Sequence, residues 1–326
     1  SGGTASNYTL TGGTHNFTVN RRVVGVSGTR LYDATTNAVA SDLSTHTNLV
    51  GTETLNLSGT GTIASKNVGS NKTVSVGTLA LADGSNGGLA ANYTLSGGTH
   101  QLTVNQRPLN ATLSRQYDGT TTSAGSDLSS FDALQGGETL TLSGSGTSAS
   151  ANVANGIAMS SNGNLALVDG TGLASNYSLN STVINITERV LNSSGSKIYD
   201  ANTDALAADI TLSNLVSGEA LNHSGTATIS SANAGSYTIT NLAGITIADG
   251  SGGTASNYTL TGGTHNFTVN PKVVSIQGNK TYDGNTTISS GDITSITDTV
   301  GAETLVISSG SGTVSSANAA TYASAG

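Results

Sequence analysis

Apolar and polar residues alternate along this chain in short runs broken by glycine, serine and asparagine. In the stretch NYTLTGGTHNFTVN, starting at Asn7, Tyr8 and Leu10 alternate with Thr9 and Thr11, and Gly12-Gly13 interrupts. Phe17 and Val19 then alternate with Asn16, Thr18 and Asn20. Period two around a Gly-Gly turn predicts a β-hairpin with one apolar face. Leu102 and Val104 repeat the pattern, as do Ile184 and Ile186 in a copy that lacks the Gly-Gly. Upstream, TLNLSGTGTIAS from Thr54 and KTVSVGTLALADG from Lys72 give further alternating runs between turn residues. The pattern predicts six or seven short strands in each block of about 83 residues.

That block is a repeat. NYTL stands at Asn7, Asn92 and Asn257, with NYSL at Asn176, and Tyr-Asp followed by Gly or Ala stands at Tyr32, Tyr117, Tyr199 and Tyr282. A Glu shortly before a Leu recurs at Glu53, Glu138, Glu219 and Glu303, and an Asn after Ala or Lys at Asn67, Asn152, Asn233 and Asn318. Each series steps by 81 to 85 residues. Cutting after each closing strand gives repeats 21–105, 106–187 and 188–270, an incomplete repeat 271–326, and at 1–20 the C-terminal hairpin of a preceding repeat. The segment 1–20 is identical, residue for residue, to 251–270. The expected fold is therefore all-β: a tandem array of small immunoglobulin-like β-sandwich repeats forming an elongated rod. A β-solenoid is the alternative, although its coils would repeat at a shorter period than any seen inside one block. Repeats join without a Gly/Ser linker, and the two prolines, Pro108 and Pro271, fall at such junctions. Fixed φ at a junction favours stiffness. Globules of this size are roughly 30 Å across, so four in line would reach about 120 Å.

Composition narrows the function. The net charge is −8, charged residues make up 9% of the chain, and cysteine and tryptophan are absent. Phosphate recognition needs clustered Lys and Arg, so nucleic acid is excluded as a partner. Disulfides, thiolate metal sites and cysteine nucleophiles are excluded as well. No run approaches the ~18 apolar residues of a membrane span. The regular alternation argues against the disorder that such a low-charge, Ser/Thr-rich composition otherwise suggests.

The acids follow the repeat register. Asp33, Asp118, Asp200 and Asp283 follow the repeat Tyr, and Asp42, Asp127, Asp209 and Asp292 come nine residues later. Arg30, Arg115, Lys197 and Lys280 stand two residues before the Tyr, and Arg22, Arg107, Arg189 and Lys272 ten before it. Two readings follow. In the first, Tyr-Asp-Gly/Ala is a turn in which Asp bonds its own backbone, Tyr covers a core edge, and the nearby cation stacks or ion-pairs. The replacement of Gly by Ala after Tyr32 and Tyr199 suggests that positive φ is not strictly required there. In the second, the eight Asp are oxygen ligands for calcium, although they occur singly rather than as the D-x-D-x-D-G cluster of calcium loops. Zinc is disfavoured because the histidine of GGTH is missing from one copy. A Ser/His/Asp triad, a Lys–Asn isopeptide bond and an ice-binding Thr array find no suitable spacing or recurrence.

The combination of [RK]xYDG, GE(T)L, AN, ADG and a terminal NYTL…FTVN resembles the YDG-type (MBG-like, mostly-β, glycine-rich) repeats of very large bacterial exoproteins. Those exoproteins are similar to filamentous haemagglutinin, and many leave the cell by two-partner secretion. The resemblance implies a structural stalk of an extracellular, cell-surface adhesin or matrix fibre, serving attachment, aggregation or biofilm, and no enzyme activity. The implied partners are neighbouring repeats of the same chain, other copies in a fibre, or matrix polysaccharide. A weak polysaccharide-binding module acting by multivalency is the alternative, and the lack of Trp counts against it.

Overall fold

A computed structural model describes residues 2–323; Ser1 and residues 324–326, the outer ends of the first and last predicted segments, lie outside the described residues. The described chain is all-β, and its helical segments are three-residue 3-10 turns. It divides into two compact units, one of residues 1–115, 121–150 and 155–185, the other of residues 116–120, 151–154 and 186–326.

Repeat 1, in the first unit, has a six-stranded sheet. Its order is Asn37–Val39, Thr60–Ile63, Gly69–Ser75, His100–Asn105, Gly25–Leu31, Thr45–Thr47. The strands pair antiparallel except where the closing strand His100–Asn105 runs parallel to the opening strand Gly25–Leu31, with His100 opposite Val26 and Asn105 opposite Leu31. A separate antiparallel pair joins Leu55–Ser58 to Ala80–Asp83. Alternation decides what each strand buries: in His100–Asn105, His100, Leu102 and Val104 point inward while Gln101, Thr103 and Asn105 lean outward. Val24, Val26, Leu43, Leu55, Ile63 and Val74 meet them in a core that continues to Leu109, Leu140 and Tyr177 of repeat 2. The six-stranded sheet and its short companion enclose this core in place of the two comparable sheets of an immunoglobulin-like sandwich. The solenoid alternative would require stacked parallel coils, and the pairings are predominantly antiparallel.

Repeat 2 reproduces the order with Thr122–Ala124, Ser145–Ser148, Ala154–Ser161, Tyr177–Thr187, Arg107–Gln116 and Leu128–Phe131, and with Leu140–Ser143 paired to Ala166–Asp169. In the second unit, repeat 3 again sets its closing strand, His265–Asn270, between Gly235–Asn241 and the parallel Asn192–Ile198. Its core gathers Ala205, Ile210, Ala227, Ile229, Ile239, Phe267 and Val269.

The expected closing hairpin is corrected by this topology. The two arms around Gly-Gly do not pair with each other. Tyr93–Thr94 pairs in parallel with Arg22–Val23, and His100–Asn105 belongs to the six-stranded sheet. The turn, held by the Gly98 N–H donating to the Leu95 carbonyl, is a corner between two sheets. Alternation establishes which face of an arm is buried; it does not identify the strand beside it. Where repeat 2 lacks the Gly-Gly, the corner straightens and Tyr177–Thr187 runs as one strand of 11 residues.

The segments outside the three full repeats are less built. Residues 2–20 contain one 3-10 turn, Ala5–Asn7, and no strand. Residues 271–323 form two strand pairs, Ser275–Gly278 with Ile293–Thr297 and Thr287–Ser289 with Ser311–Thr313.

Candidate functional site

The side chains that recur once per repeat converge where one repeat meets the next. Within the first unit, Tyr32 of repeat 1 is fully buried, and its hydroxyl donates to Glu138 Oε1 of repeat 2 at 2.6 Å. Tyr177 of repeat 2 donates to Glu138 Oε2 at 2.8 Å, and the two rings meet edge to face, 5.3 Å between centroids. Lys66 of repeat 1 completes the set, with Nζ 2.6 Å from Glu138 Oε1 and 5.9 Å from the centre of the Tyr32 ring. Beside it, buried Asn176 accepts from the backbone N–H of Val68 at 2.9 Å and donates to Asn67 Oδ1 at 3.1 Å. Arg107, at the opening of repeat 2, donates through Nε to the Tyr32 carbonyl at 2.7 Å.

The second unit contains the same joint. Tyr117 and Tyr258 each donate to one oxygen of Glu219, both at 2.6 Å, with their rings 5.4 Å apart at 79°. Asn257 accepts from the Val153 N–H at 2.9 Å and donates to Asn152 Oδ1 at 3.0 Å. Arg189 reaches the Tyr117 carbonyl at 3.4 Å. The residue corresponding to Lys66 is Ala151, so this carboxylate is held by tyrosines without an ammonium group. At the following step Tyr199 donates to Glu303 Oε1. In repeat 1, Tyr93 donates to Glu53 of its own repeat.

Two tyrosine hydroxyls and one carboxylate make a clamp whose donor and acceptor counts match: each oxygen of Glu138 and of Glu219 receives a hydroxyl. Protonation states follow. Burial, and then the Glu138 carboxylate, push the Tyr32 hydroxyl up; burial first also raises Tyr177, to about 12. Burial, then Glu219, raises Tyr117, and the same causes carry Tyr258 to about 12. For Glu138, burial acts to raise the carboxyl, yet Lys66, Tyr32 and Tyr177 together outweigh it and hold the group below the ordinary range. The clamp is therefore a carboxylate between neutral phenols at any ordinary pH.

The predicted Tyr and Glu positions are thus brought together across repeats, except Tyr282, which is 68% exposed. The expected Arg/Lys partnership forms with Asp rather than with Tyr. Arg30 pairs with Asp33, Lys197 with Asp200 at 2.8 Å and Lys280 with Asp283 at 2.8 Å. These Asp also cap the turn: Asp33 accepts from the Thr35 N–H, Asp118 from Thr120, Asp200 from Asn202 and Asp283 from Asn285. The second series closes 3-10 turns. Asp127 accepts from the Ala124 N–H and Asp292 from the Ser289 N–H, while Asp42 and Asp209 end the turns Ala40–Asp42 and Ala207–Asp209. In repeat 4 one shallow cleft brings Asp283 and Asp292 together with Lys280 on its wall. Among the described residues no three His, Asp or Glu side chains converge.

The residue after Tyr-Asp departs from expectation. Gly119 and Gly284 have φ of 78° and 81°, and Ala34 and Ala201 both have 64°. Every copy needs the left-handed conformation, and two copies hold it with a Cβ.

Sequence reasoning missed the NY tyrosine hydroxyl, the preceding Asn and the opening Arg as joint residues. The signal was present in their stoichiometry. Each full repeat supplies two Tyr, one Glu, one AN asparagine and one NY asparagine, numbers that match when donors and acceptors are paired across a boundary.

A family model described as the YDG domain matches residues 18–103, 100–184 and 186–266. No curated protein matches the chain. Three tandem matches that cover most of the sequence, each carrying the joint residues at equivalent positions, make the chain a member of the YDG domain family.

Proposed function

We propose that this chain is a structural stalk segment of a large extracellular bacterial adhesin or matrix fibre, of the filamentous-haemagglutinin-like kind, and that it performs no catalysis. The observation that carries the reading is the use made of the motif residues: the side chains that define each repeat fasten it to its neighbour. A carboxylate shared between two buried phenols, an Asn pair and an Arg–carbonyl bond all oppose hinge motion at the junction, since bending breaks several at once. Stiff tandem joints suit reach and attachment at a cell surface or within a biofilm. The partners on this reading are neighbouring repeats and other copies in a fibre.

Small-angle scattering of the 326-residue chain tests it. An elongated distance distribution is expected, and a compact globular profile overturns the stalk. Repetitive polysaccharide binding is the competing function, and a glycan array separates the two. Tyr8 and Tyr282 are the exposed tyrosines while the other repeat tyrosines are committed to joints and cores, which leaves few stacking platforms for sugar.

A further inference from the structure

The sequence SGGTASNYTLTGGTHNFTVN occurs twice and adopts two states. At 251–270 it forms the strands Tyr258–Thr259 and His265–Asn270, with Tyr258, Phe267 and Val269 no more than 2% exposed. At 2–20 the same side chains stand in solvent: Tyr8 is 78% exposed, Leu10 80%, Phe17 90% and Val19 95%. The local geometry is nonetheless shared. Both copies contain the 3-10 turn, at Ala5–Asn7 and Ala255–Asn257. In both, the histidine Nε2 lies 2.8 Å from a leucine carbonyl, His15 on Leu10 and His265 on Leu260. Both threonine turns bond alike, the Thr11 N–H to Thr9 and the Thr261 N–H to Thr259, each at 3.1 Å. The free copy is thus shaped for docking before it docks and lacks only the sheet that receives it.

Repeat 4 presents that sheet edge. In repeat 3 the closing strand lies parallel to Asn192–Ile198, with Asn266 opposite Ser194 and Phe267 opposite Gly195. The corresponding strand of repeat 4 is Ser275–Gly278, which pairs with Ile293–Thr297 on one side and has no closing strand on the other among the described residues. A Cβ on Gly195 would stand 2.7 Å from the Phe267 ring, so glycine makes room for that ring. Gly278 keeps the space, and no ring lies over it. Around it Val273 is 87% exposed, Ile276 48% and Val306 89%. The joint agrees with the sheet. Glu219 holds Tyr117 on one oxygen and Tyr258 on the other, whereas Glu303 takes Tyr199 on Oε1. A docked Tyr8 would supply the second hydroxyl to Glu303 Oε2.

We propose that residues 2–20 of one copy of this chain complete repeat 4 of a second copy by strand addition, giving head-to-tail self-association. Phe17 covers Gly278, Val19 lies beside Lys280, and Tyr8 closes the clamp on Glu303. The contact uses different surfaces on the two partners, so nothing limits it to a dimer and it propagates into open chains.

Light scattering on the intact chain reads this directly. Over about 10 to 200 µM, the range in which a short added strand binds, the weight-average mass is expected to climb past twice the 32.2 kDa of the monomer. Phe17→Asp with Val19→Asp is expected to hold the chain at monomer mass without loss of fold, because both positions are exposed. Tyr8→Phe weakens association, and a synthetic peptide of residues 1–20 dissociates the assembly. Register is tested by Asn16→Cys with Gln277→Cys in this cysteine-free chain. Adjacent strands bring such pairs to about 4.8 Å, within disulfide reach, so oxidation is expected to give a ladder of multimers on a non-reducing gel. A monomeric mass at every concentration, a cross-link confined to single chains, or assembly unaffected by the Phe17 and Val19 changes overturns the proposal.

Discussion

Removing a single hydroxyl tests whether the joint is energetic or incidental. Glu138 has a side chain only 8% exposed and takes donors from Tyr32 at 2.6 Å, Tyr177 at 2.8 Å and Lys66 at 2.6 Å. A hydrogen bond to a charged acceptor contributes about 1.5–3 kcal/mol. Lys66 is 42% exposed and stays beside the same oxygen, so Tyr32→Phe belongs at the lower end, about 1.5 kcal/mol. Glu138→Gln costs more, about 3 kcal/mol, because an ammonium and two phenols then face a neutral amide. In the double variant part of the Tyr32 loss is already counted, which gives a coupling of about 1–1.5 kcal/mol. Glu219 offers a comparison within the same chain. It has two phenolic donors and no lysine, so losing Tyr117 removes half of its donors. Tyr117→Phe should therefore cost more than Tyr32→Phe, by about 0.5–1 kcal/mol. Guanidinium unfolding of the intact array, followed by circular dichroism and tyrosine fluorescence, measures these values, and the stepwise behaviour of repeat arrays helps assign each loss to its joint. A Tyr32–Glu138 coupling within about 0.3 kcal/mol of zero would refute the argument, since additivity marks independent sites.

Other consequences are separable. Glu138 is held below the ordinary carboxyl range, so its contribution is complete above about pH 4.3 and drains as pH falls through the lowered folded value. Tyr177 and Tyr258 are raised to about 12, so theirs is complete below about pH 10 and is lost as pH rises towards 12. Melting temperature should show a plateau with a fall on each side, and Tyr177→Phe should shrink the alkaline fall; an unchanged alkaline limb counts against the assignment. At the third position of the turn, Gly119→Ala should destabilise by about 1–2 kcal/mol, because it imposes positive φ on a Cβ that also meets Val216 at 2.9 Å. Ala201→Gly should be neutral or stabilise by up to about 1 kcal/mol, strain relief being offset by unfolded-state entropy. For calcium, the first Asp of each candidate pair already bonds a turn N–H, and in three repeats it is paired with Arg30, Lys197 or Lys280. Added calcium or chelator is expected to move the melting temperature by less than about 1 °C, whereas a rise of several degrees with calcium, about a kcal/mol or more, would show that the metal displaces those cations.

The all-β class, the repeat period and the inward-facing residues were legible because each depends on local pattern. Leu102 and Val104 are buried for the reason their alternation implies, and the three family matches fall on the units that the Tyr-Asp, Glu and Asn series divide. The corner at Gly97-Gly98 was not legible, because pairing Tyr93 with Arg22 instead of His100 depends on residues some seventy positions away. The clamp was illegible for a related reason. Tyr32 and Glu138 are 106 residues apart, more than one full period, so comparing repeats with one another shows both positions recurring without showing that they touch. The third position after Tyr-Asp misled in the other direction: alanine in two copies suggested relaxed backbone where the conformation is common to all and two copies carry the strain.

The duplicated segment separates what a sequence does alone from what its neighbours do for it. Sequence is constant between 2–20 and 251–270, and so are the 3-10 turn, the threonine turn and the histidine–carbonyl contact. What differs is every strand and every buried side chain. Short-range hydrogen bonds therefore follow from the residues themselves, while strand identity is conferred by Gly235–Asn241 and Asn192–Ile198 on the segment that reaches them. Burial then follows pairing, since Phe267 is covered only because Gly195 lies opposite and admits its ring. Stability in such an array resides largely in sheet completion and in the joints that completion positions. The NY tyrosine reaches its glutamate because the corner after it delivers the closing strand to its place in the sheet. A repeat that gains its closing strand gains its clamp in the same step, which couples the folding of each repeat to its attachment to the next.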